Sequence, residues 1–148
     1  MINKDTSRIE KLIHSILHPE DHGDSTRALL ELKELNPAIA SDLARAILTN
    51  EEEEIFYRCS ALMVLYSLSR EETLAYIRRH AASAPMRLFE AMMEEVTDDG
   101  VYEHKADAPY EGAVRELALS LKVRPKEELD ELSGRIKDFE KTFSGRLK

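Results

Sequence analysis

Residues 59–68 read Cys-Ser-Ala-Leu-Met-Val-Leu-Tyr-Ser-Leu, eight apolar residues in ten with only Ser60 and Ser67 between them. No glycine or proline interrupts the run, and alanine, leucine and methionine are strong helix formers, so it predicts a helix rather than a strand. A helix lying on a surface carries one apolar stripe. A helix that is apolar nearly all round needs neighbours on more than one side. Arg58 ahead of the run and Arg70 behind it are expected to mark its return to water. The run therefore predicts the central helix of an all-α domain, and the rest of the chain has to supply the helices that cover it.

The flanking sequence has the periodicity to do so. In 3–17, Ile9, Leu12, Ile13, Ile16 and Leu17 fall at i, i+3, i+4, i+7 and i+8, one helical face, with Asp5, Thr6 or Ser7 as N-caps. Pro19 and Gly23 break the chain, and Asp24 or Ser25 caps a second helix, 24–35, with Ala28, Leu29, Leu32 and Leu35 inward. Asn36-Pro37 ends it, because the residue before proline is pushed out of the α region, and proline opens a third helix, about 38–49. Asn50 is expected to cap a fourth, 51–68, whose first turn would be Glu51, Glu52, Glu53 and Glu54, well placed against the helix dipole. Ser69 with Glu72 matches a capping box for a fifth, about 70–82. Pro85 opens a sixth, 85–98, which Gly100 is expected to stop. Residues 101–109 form the longest predicted loop, followed by helices at 110–122 and 126–143. In the last, Leu129, Leu132, Ile136, Phe139 and Phe143 are spaced 3, 4, 3 and 4, a short heptad seam that suits docking on the preceding helix or on a second copy.

A chain of 148 residues fits one domain, and 43% hydrophobic with 34% charged residues argues for a packed core rather than disorder. No apolar run approaches the roughly 20 residues that span a bilayer, so no membrane association is expected. The polar N-terminus does not resemble a secretory signal, and a single cysteine excludes an intrachain disulfide; the expected location is cytoplasmic. The net charge of -8 divides as -2 over 1–50, -6 over 51–100 and 0 over 101–148. The excess around the central helix repels nucleic acid and favours a basic protein partner.

The phrase Ala28-Leu29-x-x-Leu32-x-x-Leu35 recurs as Ala61-Leu62-x-x-Leu65-x-x-Leu68, 33 residues on. With tight connections pairing 24–35 with 38–49, 51–68 with 70–82 and 85–98 with 110–122, the pattern over 24–122 resembles HEAT-like or armadillo-like repeats. That resemblance implies about eight helices, as antiparallel pairs stacked in a short solenoid with 3–17 and 126–143 as caps, in a single helical domain, 1–148. An irregular helical bundle is the alternative.

No nucleotide fingerprint, P-loop or nucleophile elbow is present, and no catalytic residues are assigned. His14 and His18, four apart with Asp21 and His22 beyond, carry the only metal-like spacing; solvated helix-end histidines explain it as well, and no metal or cofactor is expected. His104 lies in the predicted loop among mixed charges. The expected function is a non-enzymatic binding protein with an acidic face. Small acidic proteins of this type resemble bacterial immunity proteins, which neutralise a basic toxin or nuclease domain. Its partner-binding candidates are Glu51, Glu52, Glu53, Glu54, Glu71, Glu72, Glu90, Glu94, Asp98 and Asp99, with Tyr57 and Tyr102 as aromatic anchors. An assembly or adaptor subunit docking, or pairing with its own copy, through 126–143 is the alternative, and a metal-dependent enzyme using His14 and His18 is a third reading.

Overall fold

Several helix starts among the described residues are set by a side-chain acceptor placed one residue ahead of the helix. The computed structural model describes residues 4–102 and 107–143, and the fold is all-α: α1 (Lys4–Leu17), α2 (His22–Leu35), α3 (Pro37–Thr49), α4 (Ile55–Leu68), α5 (Arg70–His80), α6 (Met86–Tyr102), α7 (Ala108–Leu121), α8 (Lys126–Glu131) and α9 (Ser133–Phe143). No strand occurs among the described residues. The Asp21 carboxylate accepts from the Gly23 and Asp24 amides, so α2 begins at His22 and Gly23 lies inside its first turn rather than breaking the chain. Asn36 accepts from the Ile39 amide, with Pro37 as the first residue of α3. Asp107 accepts from the Tyr110 amide and starts α7 at Ala108.

The chain divides into two compact units, Met1–Ser69 and Arg70–Lys148. In the first, α2 packs against α1, α3 and α4, and α3 packs along α4. Leu12, Ile16, Leu29, Leu32, Leu48, Leu62 and Leu65 fill the interior. Both repeat phrases contribute: Ala28, Leu29 and Leu32 on α2 and Ala61, Leu62 and Leu65 on α4 are all buried, on two helices that touch. Leu35, the fourth member of the first phrase, is exposed. Arg58 does not return the chain to water. It is 5% exposed, and its Nε donates to the Leu48 carbonyl at 3.0 Å, satisfying an acceptor in the last turn of α3 that has no intrahelical donor.

In the second unit α5 packs along α7, while α6 packs mainly against α9 and also meets α7; α8 turns back onto α9. Two sequence expectations are corrected here. The sixth helix does not stop at Gly100 but runs to Tyr102, because that glycine is needed for space rather than for a turn: a Cβ there would lie 2.4 Å from the Tyr110 hydroxyl and 3.1 Å from the Phe143 ring. The final helix is broken at Leu132 into α8 and α9, just ahead of Ser133 and Gly134, two weaker helix formers. The predicted loop shrinks accordingly, since 101 and 102 belong to α6 and 108 and 109 to α7; Glu103, His104, Lys105 and Ala106 lie outside the described residues.

Arg70 too is drawn into the fold, its side chain 22% exposed. Its Nε donates to Asp99 Oδ2 at 2.7 Å, a second guanidinium nitrogen to Asp107 Oδ2 at 2.9 Å, and its plane lies 5.3 Å from the centre of the Tyr110 ring. One side chain thus ties the start of α5 to α6 and to the cap of α7. Arg124 does the same further along. It donates to the Ala81 carbonyl at 2.7 Å, pairs with Glu128 at 3.0 Å, and lies 4.1 Å from the centre of the Phe89 ring.

Candidate partner-binding surface

Four consecutive carboxylates cannot all sit in the first turn of one helix once one of them is needed to cap it. Glu54 takes that role, accepting from the Phe56 amide at 3.0 Å and the Tyr57 amide at 2.8 Å, which starts α4 at Ile55. Glu51, Glu52 and Glu53 therefore lie in the preceding turn, shaped by the Asn50 side chain, which accepts from the Glu52 amide at 3.0 Å. Glu53 turns inward, accepting from the Glu54 amide and standing 3.6 Å from His22 Nε2. Glu51 and Glu52 are exposed and have no ion pair among the described residues. The expected run of four equivalent acids is thus two outward charges and two structural ones.

Tyr57, expected as an exposed anchor, is instead a core residue at 1% exposure; its hydroxyl donates to the Ile16 carbonyl at 3.0 Å, and its ring lies 5.2 Å from that of His22. Burial, with the nearby Glu53 charge, pushes its phenol up to about 12, so it stays a neutral donor. The exposed aromatic is its neighbour Phe56. Phe56, Cys59, Ser60, Met63 and Ser67 form the outer stripe of α4, with Phe56 61% and Met63 39% exposed.

The remaining acids belong to the second unit. Glu71 is exposed at the start of α5, and Glu72 beside it is partly covered. Glu90, Glu94 and Asp98 lie at i, i+4 and i+8 on α6. Arg87 holds Glu90 at 3.1 Å and also pairs with Glu131, while Arg135 of α9 stands 3.6 Å from Glu94. Only Asp98 of the three is exposed without an ion pair among the described residues. Asp99 is corrected from surface acid to buried partner of Arg70. The Tyr102 side chain lies outside the described residues.

From the sequence the Glu94-Glu95 pair reads as a solvated face, but Glu95 is half-buried. Burial first, then the charges of Asp98, Glu94 and Asp99, push its carboxyl up to about 7. A carboxyl whose folded value lies above the ordinary 4.5 favours the fold while it holds its proton, and that contribution is lost as pH rises from about 4.5 through 7. Glu95→Gln is therefore expected to melt higher than the parent protein at pH 8, with the difference shrinking to nothing near pH 4.5. Thermal melts across that range measure it, and a pH-independent difference would count against the assignment.

The His14 and His18 rings are 4.7 Å apart, but Asp21 is engaged in capping α2 and His22 turns toward Tyr57 and Glu53. Among the described residues no group of three or more histidine, cysteine or acidic side chains is placed to hold a metal ion. No helix of the described residues is long and apolar enough to cross a membrane. An open groove of about 660 Å³ between α5 and α7 is lined by Leu74, Ala75 and Pro109 with Arg78, Arg79, Glu71 and Glu116 at its edges, a mixed-charge surface. Phe139 and Phe143, the residues whose exposure would have implied docking through the last helix, are buried against their own unit. No family model, curated protein or solved structure matches the chain.

Proposed function

We propose that this protein is a non-enzymatic protein-binding module that engages a basic partner through outward-facing carboxylates, most concretely as an immunity or inhibitor protein covering a basic toxin or nuclease domain. The observation that carries the reading is how the charges are distributed. Arg8, Arg27, Arg45, Arg70, Arg87, Arg124 and Arg135 are all held in ion pairs by the chain's own acids, whereas Glu51, Glu52, Glu71 and Asp98 face outward with no ion pair among the described residues. The chain's net charge of -8 leaves an acidic excess to which these four carboxylates contribute, alongside the outward Arg78 and Arg79 of α5. Such a field speeds capture of a basic protein and opposes nucleic acid and other acidic partners. A HEAT-like stacking of the helix pairs, and a cytoplasmic location, belong to the same proposal.

Glu51→Gln, Glu52→Gln, Glu71→Gln and Asp98→Asn combined in one variant remove these charges without touching the capping residues Glu54 and Asp107. With a basic partner captured at low salt, stopped-flow mixing is expected to show association slowed by about tenfold or more, with a flatter dependence on ionic strength. An unchanged association rate, or a partner held equally well at high salt, would overturn the electrostatic reading.

A further inference from the structure

Over residues 55–69 the only charged side chain is Arg58, and it is buried; in a protein one-third charged, the outward stripe of α4 therefore carries no charge at all. It is nevertheless open to solvent, with Phe56 and Met63 standing out at either side of the smaller Cys59 and Ser60. Its hydroxyls are already satisfied. Ser60 Oγ donates to the Phe56 carbonyl at 3.1 Å and Ser67 Oγ to the Val64 carbonyl at 2.8 Å, both within the same helix. Covering a polar face normally costs the desolvation of donors left without partners; here the two serine donors keep their bonds when water leaves. The stripe is apolar at its tips, notched between them, and inexpensive to dry.

From Phe56 to Ser67 the stripe spans twelve residues, about 17 Å at the rise of an α-helix. That matches three turns of a second helix laid along it, one large apolar side chain seated over Ser60 between Phe56 and Met63. The ends are not alike. At the N-terminal end stand the outward carboxylates Glu51 and Glu52, and at the C-terminal end Ser67 and Ser69. The unit as a whole carries a charge of -5, from seven basic and twelve acidic residues in 1–69. An anionic membrane surface is repelled by that charge, and a second copy would bring the same acidic excess to the contact.

We propose that this stripe of α4 docks an amphipathic helix of a partner protein, one with an apolar face at i, i+3 or i+4, and i+7 and with lysine or arginine clustered at the end that meets Glu51 and Glu52. The inference rests on the acidic-face reading for the charged end and adds the apolar contact and the helical form of the occupant.

The test uses the full chain and a display library of helix-forming peptides, randomised in charge and in apolar pattern, from which the tightest binder is synthesised and measured by fluorescence anisotropy. Enriched peptides are expected to share the apolar stripe and the basic end, and the Phe56→Ser/Met63→Ser variant, altered only at exposed positions, is expected to bind the synthetic peptide at least tenfold more weakly. Glu51→Gln/Glu52→Gln should weaken it several-fold and flatten its salt dependence. Binding that falls with the glutamate variant but not with the Phe56/Met63 variant would overturn the docking stripe and leave the acidic reading standing. Binding that needs Phe56 and Met63 but is indifferent to the glutamates and to salt would overturn the basic-ended occupant and count against the acidic reading as well. A library that enriches nothing, or a chain found dimeric by sedimentation that becomes monomeric in the Phe56→Ser/Met63→Ser variant, would overturn the proposal, the latter in favour of a second copy.

Discussion

Arg70→Met is expected to lower the unfolding free energy by about 3 kcal/mol, the scale on which removal of one partner from a buried ion pair acts. The reason is Asp99, whose side chain is 3% exposed and stands 2.7 Å from the Arg70 guanidinium. Without the cation its negative charge stays in a place where water cannot replace the lost interaction. The same substitution removes the contact to Asp107 and the stacking on Tyr110, so α5, α6 and the start of α7 all lose a common fastening. Urea denaturation followed by circular dichroism measures the loss. The double variant Arg70→Met/Asp99→Leu should recover much of it, since the isolated charge is then gone. Arg70→Lys should fall between, because an ammonium cannot span two carboxylates as the planar guanidinium does. A loss for Arg70→Met below about 0.5 kcal/mol would place the pair among ordinary surface ion pairs and refute this account.

The helical class and most helix positions were legible because they depend on local information: apolar period, proline before a helix, and a short polar residue ahead of it. Ala28, Leu29 and Leu32, Ala61, Leu62 and Leu65, and Leu88, Phe89, Met92, Met93 and Val96 are all buried where their spacing places them. What local information cannot decide is which of several acceptors wins a helix start. The sequence offers Asp24 or Ser25 as the cap of the second helix, but both lie inside α2 and Asp21 caps it. Asn50 and Glu54 compete ahead of α4, and Glu54 does.

The charged side chains were harder to read, because sequence assigns an arginine or an aspartate to water by default. Arg58 and Asp99 are exceptions that only tertiary packing creates: one meets a carbonyl in the last turn of α3, the other meets Arg70. The candidate surface was half legible for the same reason. Glu51, Glu52, Glu71 and Asp98 face outward, but the exposed aromatic next to Glu51 and Glu52 in the first unit is Phe56 and not Tyr57. An all-apolar helix tells that it is covered on several sides; it does not tell which strip is left open. The strip holding Cys59, Ser60 and Ser67 is where the apolar run is least bulky, and that was its one visible signal.

Gly100→Ala separates two opposing effects whose magnitudes differ enough to predict a sign. In an open helix the change favours the helix by up to about 1 kcal/mol. Here the new methyl would lie 2.4 Å from the Tyr110 hydroxyl and 3.1 to 3.2 Å from two carbons of the Phe143 ring. Neither neighbour yields easily. Tyr110 is 1% exposed, its hydroxyl donates to the Val96 carbonyl at 2.9 Å, and Arg70 lies over its ring; Phe143 is equally buried and packs on Phe139 with ring centres 5.0 Å apart. Overpacking of this kind costs about 1–3 kcal/mol, and displacing a buried hydroxyl from its acceptor about 1–3 kcal/mol more. The clash outweighs the propensity gain, and a net loss of about 2 kcal/mol is expected in chemical denaturation. Combining Gly100→Ala with Tyr110→Phe removes the atom that clashes most, so the two changes should be markedly non-additive, the double variant more stable than the sum of the single losses. If Gly100→Ala instead raises the melting temperature, Gly100 is a helix weakness rather than a point of close approach, and the packing of α6 against Tyr110 and Phe143 is looser than these distances say.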